Sequence, residues 1–189
     1  TGIASTDGLA IGNRHLRSGN CATWEDARRL LLNCEVQAAV IENSGMEIIK
    51  NGLAYEKCPV GIVTNIIYTD EMKRPDIAYH DFEEAADLVK VYRTQADVVL
   101  KDGTSVLNAD DPNVAEIAQY SGGLVTLYSL DSNSPAIVEH LEAGKRAVLV
   151  ENGKLVFAEG SVKTSLCDLA EVSITENGSN QEQIRHVMA

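Results

Sequence analysis

The sequence predicts an α/β fold in which helices flank a mostly parallel β-sheet, with an antiparallel hairpin added to the sheet. Short apolar runs alternate along the chain with segments of helical spacing, as in strand–helix repeats. Two of these runs, residues 38–41 and 60–63, are continuously apolar, which is typical of strands buried on both faces. Polar residues follow the runs, and the carboxyl ends of parallel strands are where such sheets bind ligands.

The first half of the chain alternates short strands with helical segments. Thr23 is a suitable N-cap for a helix over residues 24–33. The longest predicted loop covers residues 68–81 and contains Pro75. The other predicted elements are a strand ending at Ser5, a turn at Thr6-Asp7-Gly8, a hairpin around Gly12-Asn13, a strand over 38–41, a short amphipathic turn over 47–50 and a strand over 60–64.

The second half repeats this alternation and ends in a hairpin and a helix. Pro112 suits the first turn of a helix, where its missing N–H costs nothing, and Gly122-Gly123 would end that helix. The other predicted elements are a helix over 82–92, a turn at Asp102-Gly103, strands over 105–108 and 124–128, a helix over 134–143, hairpin strands over 147–150 and 155–158 around Asn152-Gly153, and a helix over 180–189.

Composition restricts the class of protein. A chain of 189 residues with 44% hydrophobic residues can bury one α/β domain. Its net charge of −12 argues against binding to nucleic acid or to an anionic membrane. Four dispersed cysteines without CxxC spacing, no signal peptide and no apolar run of membrane length predict a cytoplasmic protein with reduced thiols. The start without Met and the end inside a predicted helix suggest a piece of a longer polypeptide.

Two polar segments at predicted strand ends are candidate ligand sites. Glu42 ends a strand, and its carboxylate could hold Mg²⁺, although it could equally cap the following turn. Asn108 could present its amide to a heterocycle, while Asp110 or Asp111 caps the next helix. A plain turn with an N-cap is the alternative interpretation of this second segment.

Other polar residues give weaker indications. The Asp70-Glu71 pair could bind a metal ion, but acidic pairs in loops are mostly solvated. Lys90 is by default a surface lysine, and the four histidines are isolated from one another. No glycine-rich GxxxxGK[ST] phosphate loop occurs, and no serine has a base near it in the sequence, so a hydrolytic triad is not supported.

Four motifs in order along the chain resemble the central ATPase domain of the Mur ligase superfamily, closest to the C-terminal half of cyanophycin synthetases. That family carries TSTDGI-x-I-G, AAVLETARGGILR-x-GL, CDVGVVLNV and DGTAVLNADDP. The corresponding segments here are residues 4–12, 38–53, 58–66 and 102–112, the last with the single change Ser105.

The resemblance implies an enzyme that couples ATP cleavage to amide-bond formation through an acyl phosphate, with ATP and Mg²⁺ bound and an amino acid or peptide as substrate. By position, Glu42 matches the metal-binding glutamate, and Thr6 matches the turn near the phosphates. Asn108 and Asp111 match the segment at the adenosine end. Lys90 matches a catalytic lysine near the second metal, although another alignment puts Tyr92 there.

Departures from the family pattern point to an incomplete or altered site. The strand and GTNGKTTT loop that begin the family's domain are absent, as is its C-terminal domain. Gly45-Met46-Glu47 replaces Arg-Gly-Gly, which adds bulk and negative charge where a phosphorylated substrate would lie. Thr69-Asp70 replaces Asp-His, which leaves Asp70 as the second candidate metal ligand, and Met72 replaces a glycine.

We therefore expect residues 1–189 to form one Mur ligase central-type domain, truncated at both ends and inactive by itself. A degenerate, non-catalytic domain with a structural or assembly role is the alternative. A further alternative is that the chain is a relative of folylpolyglutamate or poly-γ-glutamate synthetases. An exposed sheet edge could also pair with a second copy and form a homo-oligomer.

Overall fold

The computed structural model describes residues 1–73, 82–175 and 180–189. These residues form two compact units, one with residues 1–56, 69–73 and 82 and the other with residues 57–68, 83–175 and 180–189. The loop predicted over residues 68–81, with Pro75, lies largely outside the described residues. The assignment of the chain to one Mur ligase central-type domain stays a prediction.

The first unit contains a four-stranded mixed sheet in the order β3-β2-β1-β4. Strands β2 and β3 form the predicted hairpin, β1 pairs antiparallel with β2, and β1 also pairs in parallel with β4. The core on one face of this sheet includes Ala4, Leu9 and Leu30, the last from helix α1. The elements are β1 (Gly2–Ser5), β2 (Gly8–Ile11), β3 (Arg14–Ser18), α1 (Trp24–Leu31), β4 (Ala39–Ile41), α2 (Gly45–Asn51) and a 3₁₀ turn (Asp70–Lys73).

The second unit contains a six-stranded sheet in the order β10-β9-β8-β7-β6-β5. The strands from β5 to β8 are parallel, and β9 and β10 add antiparallel pairs, which confirms the predicted fold class. The elements are β5 (Cys58–Val63), α3 (Val89–Tyr92), α4 (Thr94–Asp97), β6 (Val99–Asn108), α5 (Pro112–Glu116), β7 (Leu124–Ser129), α6 (Pro135–Glu142), β8 (Arg146–Glu151), β9 (Lys154–Glu159), β10 (Val162–Asp168) and α7 (Gln181–Met188), with 3₁₀ turns at Ala85–Leu88, Ile117–Tyr120, Leu169–Glu171 and Ser173–Thr175.

Helix α7 packs on the second sheet through an apolar cluster. Ile184 and Met188 of α7 contact the cluster that includes Tyr128 of β7 and Leu155 of β9. Tyr128 is fully buried. The predicted C-terminal helix is therefore a packed part of this unit.

Side chains cap several of the helices, and the caps at Thr23 and Asp111 confirm predictions made from the sequence. Thr23 caps α1, and Asp111 caps α5 with Pro112 in the first turn. Ser134 caps α6 and Asn180 caps α7. Among the described helices, none is both long enough and apolar enough to cross a membrane.

Burial on both faces of the strands at 38–41 and 60–63 is a wrong prediction. Val40 is 60% exposed, and Val60 and Ile62 are 52% and 42% exposed. The reason is that β4 and β5 are each an edge strand of their own sheet. The described residues place a packed layer on only one face at these edges.

The turn predicted at Asp102-Gly103 is also wrong, because both residues lie inside the long strand β6. A Cβ atom at Gly103 would come within 2.4 Å of the Pro59 carbonyl oxygen. The register between β5 and β6 shifts between Cys58 and Val60, next to this contact. Glycine is therefore present for close backbone approach rather than for a turn.

Candidate functional site

In the first unit, the strand ends bring Thr6 and Glu42 together. The Thr6 backbone N–H donates to Glu42 Oε2 at 2.7 Å, and Thr6 Oγ1 lies 3.0 Å from the same oxygen. The contact forms because β1 and β4 are parallel neighbours, so their carboxyl ends lie at one edge of the sheet. Glu42 remains exposed, so its carboxylate is open to further ligands. The expected convergence of polar residues at this edge is confirmed for this pair.

The segment after Glu42 turns directly into α2. The Ser44 hydroxyl accepts a hydrogen bond from the Glu47 N–H, and Glu47 Oε2 accepts from the Trp24 N–H and from Asn51 Nδ2, each at 3.1 Å. A carboxylate at the start of α1 is favoured by the orphan amides and the helix dipole there. The charge that the sequence introduces at Glu47 therefore stabilises contacts between α1 and α2.

Asp70 lies in a 3₁₀ turn and is paired with a lysine. Lys73 Nζ lies 2.7 Å from Asp70 Oδ1, and the Asp70 side chain is 93% exposed. The hydrogen bond from Lys73 and then its charge lower the pKa of Asp70. Within residues 1–73, 82–175 and 180–189, no three His, Cys, Asp or Glu side chains form a group able to hold a metal ion.

In the second unit, Asn108 ties the end of β6 to the end of β5. Its Nδ2 donates to the Thr64 carbonyl oxygen at 2.8 Å, and its Oδ1 accepts from the Asp110 N–H at 3.0 Å. The side chain is buried, with Asn108 only 4% exposed. These bonds use one N–H and one lone pair of an amide that has two of each.

Asp111 holds two segments of backbone at once. Its Oδ1 accepts from the Asn113 and Val114 N–H groups at 2.9 and 3.4 Å, which is the N-cap of α5. Its Oδ2 accepts from the Ile66 N–H at 3.1 Å. Asn108 and Asp111 therefore both fix the loop after β5 against the loop after β6.

A further constellation at this edge was not predicted from the sequence. Asp110 Oδ1 accepts from the Ser129 hydroxyl at 2.5 Å, and Asp110 Oδ2 accepts from Arg185 Nε at 2.9 Å. The nearby Tyr128 hydroxyl is buried and has no hydrogen-bond partner among the described residues. Burial, and then the charge of Asp110, raise the pKa of Tyr128. The sequence hinted at this group only through the position of Ser129, directly after the predicted strand over 124–128.

Lys90 lies on the exposed side of the short helix α3. It is close enough to Asp87 for its charge to contribute to the lowered pKa of that carboxyl, after the hydrogen bonds from the Glu83 and Glu84 N–H groups. Tyr92, the other residue that could align with the family's lysine, is half-buried at the end of α3. A catalytic role for Lys90 stays a prediction.

The donor set around Glu42 suits Mg²⁺ in its chemistry. This ion prefers hard oxygen donors, keeps several waters, and is usually held by one or two carboxylates together with substrate phosphates. Glu42 supplies an exposed carboxylate with the Thr6 hydroxyl beside it. Asp70 suits the ion less well, since its carboxylate is already paired with Lys73.

Comparison with known proteins gives one consistent set of relatives. No family model matches the chain. It is similar to the cyanophycin synthetase of Geminocystis herdmanii, with 33% identity over 159 residues, which is 84% of this chain and 18% of that protein. It is 30% identical over 188 residues to the enzyme of Crocosphaera subtropica, covering 100% of this chain and 21% of that one. The corresponding identity with the enzyme of a Nostoc species is 29%, over 100% of this chain and 20% of that protein.

These matches make the chain a homologue of a segment of cyanophycin synthetases, at about 30% identity along its length. The chain spans about a fifth of the length of these relatives. The wider resemblance to the Mur ligase superfamily agrees with this result and stays a prediction.

Proposed function

We propose that the chain is part of a cyanophycin synthetase-like, ATP-dependent amide ligase, and that it is inactive by itself. The observation that carries this proposal is the similarity to cyanophycin synthetases along the whole chain. The contact between Thr6 and Glu42 supports it, because it places an exposed carboxylate at the carboxyl end of parallel strands.

The proposed reaction has two steps. An oxygen of the substrate carboxylate attacks the γ-phosphorus of ATP, the bond to ADP breaks, and an acyl phosphate forms. The nitrogen of an amino acid then attacks the acyl carbon, phosphate leaves with the electrons of the broken C–O bond, and the nitrogen loses a proton. Mg²⁺, when bound, would offset the negative charge of the phosphates.

Different residues of the chain would contact the phosphate end and the adenosine end of ATP. Glu42 would bind Mg²⁺, and Thr6 would orient the Glu42 carboxylate through the hydrogen bonds that it donates. Asn108 and Asp111 would form the edge that meets the adenosine end of ATP, since they fix the two loops there. Lys90 would act near the transferred phosphoryl group, and Asp70 would be a second, weaker metal ligand.

A non-catalytic, structural role in a longer protein is the second candidate function. The observation that favours it concerns Glu47, which replaces a glycine of the family pattern. Its carboxylate accepts hydrogen bonds from the Trp24 N–H and from Asn51 Nδ2. A carboxylate there serves the stability of the first unit and repels a phosphorylated substrate. The pairing of Asp70 with Lys73 points the same way.

Titration calorimetry with Mg-ATP tests the prediction that this chain is inactive alone. We expect neither tight binding nor ATP turnover, because Asn108 and Asp111 are engaged by the chain's own backbone and no GxxxxGK[ST] loop occurs in the sequence. Sub-micromolar binding of Mg-ATP would contradict this expectation.

A longer protein that contains this chain tests the ligase itself. Phosphate release would be measured with an aspartate peptide plus arginine or aspartate, for the unaltered protein and for Glu42→Gln. We expect Glu42→Gln to abolish most of the activity, while Glu56→Gln, at an exposed carboxylate of the same unit, should leave it unchanged. A folded longer protein that releases no phosphate would favour the structural role.

A further inference from the structure

Some asparagines of this chain directly precede a glycine, and these pairs are Asn51-Gly52, Asn152-Gly153 and Asn177-Gly178. In such a pair the main-chain nitrogen of the glycine can attack the asparagine side chain, because glycine has no Cβ atom to hinder the approach. The pair at 177–178 lies outside the described residues. Asn51 and Asn152 are both exposed, so exposure to water does not distinguish the other two pairs.

In the pair Asn51-Gly52, hydrogen bonds hold both reacting groups. Asn51 Nδ2 donates to Glu47 Oε2 at 3.1 Å. The Gly52 N–H donates to the Ile48 carbonyl oxygen at 3.0 Å. Asn51 is also the last residue of α2, so helical geometry fixes its main chain. A reaction between these two groups therefore requires the end of α2 to open first.

The pair Asn152-Gly153 forms the turn between β8 and β9 and lacks these restraints. Asn152 and Gly153 have positive φ angles of 51° and 74°, as in a type I′ turn. Within the described part of the chain, no hydrogen bond engages the Asn152 side chain or the Gly153 N–H. The attacking nitrogen and the side chain that it attacks are therefore both available.

We propose that Asn152 is a site of spontaneous covalent modification, where deamidation through a succinimide converts asparagine to aspartate and isoaspartate. The Gly153 nitrogen attacks Asn152 Cγ, the bond from Cγ to the side-chain nitrogen breaks, and ammonia leaves with the proton of the Gly153 amide. Water then opens the ring. Attack of water at the side-chain carbonyl gives aspartate, and attack at the main-chain carbonyl gives isoaspartate. This inference does not depend on the proposed ligase function.

Isoaspartate would disturb the contacts that hold this turn, because the main chain then runs through the former side chain and is longer. The Gly153 carbonyl oxygen accepts from the Leu169 N–H at 2.9 Å, and a longer main chain shifts this oxygen. The new carboxylate would also lie next to Glu151, whose Oε1 is 2.5 Å from Lys163 Nζ. We therefore expect the modified second unit to be less stable than the unmodified one.

Ageing of the purified 189-residue chain at neutral pH, followed by peptide mapping with mass spectrometry, tests the proposal. The same chain kept unfolded in guanidinium chloride gives a reference rate for each asparagine, because it keeps the neighbouring residues and removes the structural restraint. We expect Asn152 to react in the folded chain at nearly its unfolded rate. Asn51 should react at least roughly tenfold below its own unfolded rate, because the end of α2 must open first.

Asn152→Gly is the matched control, because glycine adopts the positive φ of this position readily and has no side chain to form a succinimide. After ageing, the unaltered chain should unfold at a lower urea concentration than before, whereas Asn152→Gly should keep its midpoint. Equal protection of Asn51 and Asn152 by folding would overturn the assignment of the site. An equal loss of midpoint in both aged proteins would overturn its effect on stability.

Discussion

Thr6 donates its backbone N–H to Glu42 Oε2 at 2.7 Å, although the two residues are 36 positions apart in the chain. The Thr6 hydroxyl adds a second bond to the same oxygen at 3.0 Å. Parallel pairing of β1 with β4 is the cause, since it aligns Ala4 with Ile41 and so sets the residues after both strands side by side. The carboxylate that the sequence suggests as a metal ligand is therefore held in place before any ligand arrives.

We predict that Thr6→Val destabilises the first unit by about 0.5–1 kcal/mol, because it removes one hydrogen bond to a charged but exposed acceptor and keeps the backbone bond. Thr6→Ser retains the hydroxyl and should cost little. Urea unfolding of the three proteins measures both effects. Equal losses for Val and Ser would show that the hydroxyl bond contributes nothing.

The loop contacts at Asp111 should matter more for stability. Asp111→Ala removes the cap of α5 and the bond from the Ile66 N–H, for a predicted loss of about 2 kcal/mol. Asp111→Asn keeps a side-chain oxygen that can cap α5, so this variant should lose less stability than Asp111→Ala. Thermal or urea unfolding gives the comparison, with Asp102→Ala on the exposed side of β6 as a control that should change stability little. An Asp111→Ala variant as stable as the control would remove the structural role assigned to this residue.

Much of the fold was predictable because its determinants are local. Thr23, Asp111 and Ser134 cap their helices through side chains a few positions from the amides they accept from. The hairpin of β8 and β9 follows from Asn152-Gly153, where Asn152 has a positive φ of 51°. Local chemistry of this kind is visible in a short stretch of sequence.

What could not be predicted depends on partners far apart in the chain. The separation of the strands into two sheets is decided by which strands pair, and apolar runs such as 38–41 and 60–63 do not contain that information. The bond from Arg185 to Asp110 joins residues 75 positions apart. Likewise, Glu47 accepts a hydrogen bond from the Trp24 amide. In the sequence this residue stood out only because it departs from a family pattern, and its structural role could not be seen there.

His140 should make the second unit sensitive to mildly acidic pH. The residue is only 7% exposed, and its Nε2 lies 3.3 Å from the Val125 carbonyl oxygen and 3.1 Å from that of Arg146. Burial lowers the pKa of His140, and the charge of Lys145 adds to this, although the two backbone bonds oppose it. A lowered pKa means that the unfolded chain binds the proton better than the folded one.

The stability from His140 is therefore complete above the unfolded pKa of about 6.5 and is lost as the pH falls below it, by at most about 1.4 kcal/mol per pH unit. Urea unfolding between pH 7.5 and 5 should show this slope, and His140→Gln should reduce it. His186→Gln, at an exposed histidine on α7, is the control and should keep the slope. A slope that survives His140→Gln would assign the effect to other groups.

Arg185 should determine how firmly α7 stays on the second sheet. Its Nε lies 2.9 Å from Asp110 Oδ2, with the side chains 33% and 18% exposed, so the pair is only partly screened by solvent. Arg185→Gln should weaken the docking of α7 by about 1 kcal/mol, since apolar contacts of Ile184 and Met188 remain. Native-state hydrogen exchange of the α7 amides would rise by roughly fivefold. Glu182→Gln on the exposed side of the same helix should not change it, and equal exchange in both variants would show that the packing alone holds α7.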